Sequence, residues 1–267
     1  MIQPRHRTAP FTLALLAALL AGFTAGFSLL NFGLYSGAVP DRYLAGTAAQ
    51  DAVTVVVSLA LLATLAALPL GWAAGWPVLL GLLSFLFYGY AVYAFEATYT
   101  LLFPAYTSII GLALAAMVLT LMRADPGRLT FPHAAPPRVL TALLLLGLSA
   151  GFVWLWSQLL IPALETGTRG DFANSVITLD FAIFLPLNVV VAGLLLLRRP
   201  FGDLLGPALM IKLAALGGSV LLGTLLAPLF NRAIPWAEAG IYAAMCLLPA
   251  ALVWPWLSRL AIPPAEA

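Results

Sequence analysis

The sequence predicts an all-α, polytopic transmembrane bundle of eight helices, arranged as a 4+4 parallel internal repeat. Three observations carry this. The 267 residues are 63% hydrophobic and 8% charged, with a mean hydropathy of +1.04. Soluble domains carry about 25% charged residues, so lipid is the solvent for most of this chain. Eight apolar runs each approach the ~20 residues a helix needs to cross the hydrocarbon. The runs are continuously apolar and lack the strict alternation of a membrane β-barrel.

The first run, 11–34, follows Arg5, His6 and Arg7. Its early part, Phe11–Gly22, resembles the h-region of a signal peptide. The apolar stretch continues to Leu34, longer than an h-region, and reads as a retained helix. The second run, 51–71, closes at Pro69-Leu70-Gly71. Runs 76–97 and 100–122 follow, and then Asp125-Pro126-Gly127 and Ala135-Pro136-Pro137 bound the long middle loop. Run 138–162 leads to 174–197, and Arg198-Arg199-Pro200-Phe201-Gly202 makes a tight hairpin into 203–227. Run 237–258 is the last. The organisation is an amino-terminal stretch 1–10, a first repeat 11–122, a linker 123–137, a second repeat 138–258 and a tail 259–267.

Arginine placement sets the expected orientation. With the amino terminus in the cytoplasm, Arg5, Arg7, Arg123, Arg128, Arg138, Arg198, Arg199 and Arg259 lie inside, and Arg42, Arg169 and Arg232 lie outside. The outer side collects Asp41, Asp51, Glu96, Glu165, Asp171 and Glu238. The expected location is the cell (inner or plasma) membrane, with both termini cytoplasmic.

The halves match at a constant offset of 129 residues. Ala21-Gly22-Phe23 faces Ala150-Gly151-Phe152, Asp51 faces Asp180, Gly89 faces Gly218, and Gly111 faces Gly240. Four helices per repeat give both halves the same orientation, related by an axis along the membrane normal.

Several function classes are excluded. A net charge of +2 without a basic run gives no nucleic-acid partner. Cys246 is the only cysteine, so there is no disulfide, CxxC or iron–sulfur motif. His6 and His133 fall outside the apolar runs, which opposes intramembrane haem ligation. No HExxH, GxSxG or P-loop is present. No catalytic set, cofactor or metal is expected.

The second half reads Val176-Ile177-Thr178-Leu179-Asp180-Phe181-Ala182-Ile183-Phe184-Leu185-Pro186-Leu187. It continues through Gly193 to Arg198-Arg199-Pro200-Phe201-Gly202, and then Pro207-Ala208-Leu209-Met210-Ile211-Lys212. This resembles a family of bacterial and archaeal polytopic membrane proteins with the pattern LDLxxxxPxxxxxGxxLLxRRPxGxxLxPxLLxK and no established activity. Gln50-Asp51 and the aromatic run Tyr88–Phe95 fit the same family in the first half. Two positions depart from it: Asp203 stands where an aromatic is usual, and Glu96 where a small residue is usual. The resemblance implies the fold and the importance of Asp180 and Lys212, and supplies no reaction.

The candidate path residues are Asp180, Asn188, Lys212, Asp51, Tyr93 and Glu96. Lys212 is the only lysine and lies mid-run, where an ammonium costs roughly 3 kcal/mol or more unless partnered. Counting from the turn near Pro200, Asn188 and Lys212 share a level, and the Asn188 carbonyl can accept from the ammonium. Asp180 lies about 12 Å further out. Pro186 frees a backbone carbonyl one turn back. In the first half, Asp51 and Tyr93 share a level near the outer surface, with Glu96 about a turn above. These residues form an acidic, tyrosine-lined vestibule with Lys212 at its floor. Each has a plainer alternative. Asp51 caps its helix, Lys212 locks two helices, Gly217-Gly218 allows close helix contact, and Trp154, Trp156, Trp236, Trp254 and Trp256 form an interfacial belt.

The leading function is a small transporter or permease, with the bilayer and a small solute or ion as partners. The alternative is a non-catalytic subunit or assembly protein, working through a membrane-protein partner or a homo-oligomer. An enzyme acting on lipid or prenyl chains comes third. A transporter requires a polar cavity reaching Lys212.

Overall fold

The computed structural model describes residues 8–131, 135–168 and 173–261. Arg5, His6, Arg7, His133, Arg169, Asp171 and the last six residues of the tail lie outside the described residues. Among the described residues the chain is a bundle of eight helices, each long and apolar enough to cross a membrane. They are α1 (Thr8–Leu30), α2 (Leu44–Ala67), α3 (Gly75–Phe95) and α4 (Phe103–Met122), then α5 (Arg138–Thr166), α6 (Asn174–Leu196), α7 (Pro200–Leu225) and α8 (Trp236–Leu257).

Two boundaries differ from the expectation, for identifiable reasons. The first helix stops at Leu30 rather than Leu34. A 3₁₀ turn, Phe32–Tyr35, then folds back and buries Tyr35 completely. The second helix starts at Leu44, after a 3₁₀ turn at Asp41–Tyr43. Hydropathy misses that start because Gly46, Thr47 and Gln50, which border a cavity, interrupt the apolar run. At the hairpin between α6 and α7, Pro200 takes the first helical position, where its missing N–H costs nothing.

Helix α3 is apolar on every side and forms the centre, packed against α2, α4 and α7. Glycines set the closest crossings. A Cβ on Gly81 would stand 2.6 Å from the Ala208 carbonyl of α7. One on Gly217 would stand 2.6 Å from the Cys246 nitrogen of α8. The expected close-contact role of Gly217 is thus realised at the α7–α8 crossing.

Helix α6 is interrupted by a π turn at Asp180–Phe184, where the Leu185 N–H donates to the Asp180 carbonyl. Pro186 follows at once. It lacks the N–H that would bond the Ala182 carbonyl, and its ring crowds that turn. The extra residue of the π turn relieves the clash.

On the side of the α6–α7 turn, the bundle is tied shut. Arg138 pairs with Asp203 through two parallel hydrogen bonds of 2.7 Å. The Arg138 guanidinium lies 5.4 Å from the Phe131 ring centre. Trp256 is fully buried and donates to Thr141 at 2.8 Å. Thr130 and Ala261 exchange backbone hydrogen bonds of 2.9 Å, joining the middle linker to the chain after α8. Asp203 is the acid of this ion pair.

Candidate functional site: a polar cavity in the bundle

A cavity of about 1430 Å³ runs into the bundle from the side opposite the α6–α7 turn. Its mouth is lined by Asp41 and Arg42 of the α1–α2 connection and Arg232 of the α7–α8 connection. Its deepest polar residues are Asn188 and Lys212. Lys212 is 13 residues from the end of α7 at Leu225, a depth of about 20 Å along the helix.

Asp180 is 7% exposed and both of its oxygens are engaged. The Tyr88 hydroxyl of α3 donates to Oδ1 at 3.1 Å, and Trp156 Nε1 of α5 donates to Oδ2 at 2.9 Å. The π turn positions this carboxylate. It begins at Asp180, so the side chain leaves α6 where the helix is locally widened.

Lys212 is 3% exposed. Its Nζ stands 3.8 Å from the centre of the Phe184 ring and 4.2 Å from that of Tyr88. Both are cation–π distances. The ammonium makes no hydrogen bond or ion pair within 4.0 Å among the described residues, and Asp180 attracts it from further away. Asn188 is 4% exposed and likewise bonds no protein group among the described residues. The expected Asn188–Lys212 hydrogen bond is therefore not formed. The aromatic faces of Tyr88 and Phe184 take the ammonium instead. Both polar groups border the cavity.

Tyr93 and Glu96 also border the cavity. Glu96 Oε1 accepts from the Ser175 N–H at 2.7 Å, satisfying a free amide at the start of α6. Asp51 is placed differently from the vestibule expectation. It is 1% exposed and does not border the cavity. Tyr35 donates to its Oδ2 at 2.7 Å, and Tyr93 donates to its Oδ1 at 3.1 Å. Nor is Asp51 a helix cap, since α2 begins seven residues earlier, at Leu44. It fastens the α1–α2 turn and α3 onto α2.

Sequence reasoning missed Trp156, Phe184, Gln50 and Ser219. Trp156 was grouped with the interfacial belt, yet it holds Asp180. Trp256 was grouped there too, and it is buried in the core. Trp154, Trp236 and Trp254 are uncovered by protein, as a belt requires. Ser219 of α7 donates to Gln50 Oε1 of α2 at 2.9 Å across the cavity wall. The adjacency of Gln50 to Asp51 was the available signal. Among the described residues no three His, Cys, Asp or Glu side chains converge as metal ligands.

Comparison with known proteins found no matching family model, no matching curated protein and no matching solved structure.

Proposed function

We propose that the chain is a small membrane transporter whose solute path passes Asp180, Asn188 and Lys212. One observation carries this reading. The cavity reaches two deeply buried polar side chains that have no hydrogen-bond partner among the described residues. A buried donor left unmet costs about 1–3 kcal/mol, so a fold that only needed helix locking has reason to pair it. Ionisable groups inside membrane helices mark solute and ion paths by default. Tyr93 and Glu96 line the approach. Asp51 serves the scaffold.

The same reading takes the bundle as two parallel four-helix repeats in the cell membrane, with both termini cytoplasmic. The central crossing of α3 on α7 supports it, because these helices correspond at the 129-residue offset. The arginine asymmetry supports the orientation, so the cavity mouth faces outward. The ion pair Arg138–Asp203 then lies on the closed cytoplasmic side.

The locking of Asp51 between two tyrosines favours a second reading, a non-catalytic membrane subunit held rigid by buried charges. Flux in proteoliposomes separates the two. Proton and ion flux through the native chain, abolished by Lys212→Met and by Asp180→Asn in folded protein, is the expected result. No flux, with both variants merely less stable, would move the assignment to the subunit reading.

A further inference from the structure

We propose that the cavity binds an amphipathic anion, a carboxylate or phosphate head on one apolar chain. The head meets Lys212 and Asn188, and the chain lies in the cleft between α5 and α8. This deepens the transport reading and rests on it for the site alone.

The head group follows from the donors. Lys212 and Asn188 are each more than nine-tenths buried and border the cavity. An ammonium has three N–H donors and an amide two, while the aromatic faces over Lys212 offer no lone pairs. Each Asp180 oxygen already accepts a hydrogen bond, from Tyr88 and from Trp156. Neither oxygen bonds Lys212 or Asn188, so among the described residues their five N–H donors face the cavity without an acceptor. An oxyanion supplies acceptors and charge together, and charge-assisted bonds are the strong ones.

The apolar chain follows from the walls. Helices α5 and α8 are joined at the closed end by the Trp256–Thr141 bond. Further along, the cavity lies between them, bordered by Phe152 of α5 and by Tyr242 and Met245 of α8. Away from the closed end α5 and α8 scarcely touch, so the cavity wall is open between them. By contrast, α1 and α4 pack closely against each other. The aqueous mouth carries Asp41, Glu96 and Glu238 against Arg42 and Arg232, which does not favour an anion arriving from water. Of the cleft residues, Phe152 and Met245 are apolar, and Tyr242 gives its hydroxyl to Glu238 at the outer end of α8. An anion with an apolar chain can enter from the bilayer and turn its head inward.

Native mass spectrometry of the full chain, released from a neutral detergent, tests this with oleate, acetate and inorganic phosphate as probes. One oleate retained per chain is expected, weakened at least about tenfold by Lys212→Met and by Asn188→Leu, with acetate and phosphate not retained. Asn188→Leu guards against misfolding of the lysine variant, and circular dichroism checks both. Equal retention of acetate or phosphate would overturn the role of the cleft. Oleate retention unchanged in both variants, or absent from the native chain, would overturn the site. A chain that shows flux yet retains no oleate defeats this inference alone. A chain that retains oleate yet shows no flux defeats the transport reading alone.

Discussion

Lys212 and Asp180 are held by the same tyrosine. The ring of Tyr88 lies 4.2 Å from the ammonium, and its hydroxyl donates to the carboxylate at 3.1 Å. One side chain from α3 therefore couples a base on α7 to an acid on α6. The two substitutions Tyr88→Phe and Tyr88→Leu separate its roles. Tyr88→Phe keeps the ring and loses the hydroxyl, and is expected to cost about 1–2 kcal/mol. Tyr88→Leu loses both and is expected to cost more, by about 0.5–2 kcal/mol for the lost cation–π contact. Unfolding in detergent reads the stability, and a flux loss larger in Leu than in Phe identifies the ring as the holder of Lys212.

Asp51 is a fastening, and Tyr35→Phe reports on it. The variant leaves one buried carboxylate oxygen without its 2.7 Å donor. A loss of about 1–3 kcal/mol is expected, with flux unchanged at temperatures where the variant is folded. Flux that falls while the melting temperature holds would bring Asp51 back into the path.

Arg138 and Asp203 offer a double-mutant cycle. The pair is bidentate, and its side chains are only 23% and 9% exposed. Such geometry exceeds an ordinary surface pair, so Arg138→Ala and Asp203→Ala are expected to be non-additive by about 1–3 kcal/mol. A coupling near zero in thermal unfolding would remove this pair as the tie of the closed side.

Neighbouring glycines on α7 should differ sharply. A Cβ on Gly217 meets α8 backbone atoms at 2.6 Å, whereas one on Gly218 finds its nearest neighbour, Cys246 Sγ, at 3.6 Å. Gly217→Ala is expected to destabilise by about 1–3 kcal/mol, and Gly218→Ala to stay within about 0.5 kcal/mol. Melting temperatures of the two proteins check this directly.

Orientation is open to labelling. Cys246 is the only cysteine, so Cys246→Ser gives a clean background. Leu229 is 76% exposed on the mouth side, and Phe201 is 41% exposed on the closed side. An impermeant maleimide on intact cells is expected to label Leu229→Cys and to spare Phe201→Cys.

The eight spans were legible because lipid forces a long apolar run wherever a helix crosses it. The placing of Asn188 and Lys212 on one cavity wall was legible for a similar reason, since helical rise converts residue counts into height. The partners of these residues were not. Trp156 looked like any interfacial tryptophan, because nothing local shows that α5 carries it onto Asp180. Asp51 looked like a cap, because Gly46, Thr47 and Gln50 ahead of it border the cavity, lower the local hydropathy and hid the start of α2. Tyr35 lies one residue beyond the first apolar run, 11–34, and nothing local shows that a 3₁₀ turn returns it to the core. Long-range side-chain pairing is decided by tertiary packing, which hydropathy does not encode.

The π turn at Asp180–Phe184 makes chain length itself informative in this stretch. An α-helix advances about 100° per residue, so removing one residue here would restore a regular helix and swing Asp180 by about that angle. The carboxylate would then leave Tyr88 and Trp156 while every span kept its apolar character. A single-residue gap at this point, invisible to any hydropathy comparison, would separate chains that keep the acid beside Lys212 from chains that have turned it away.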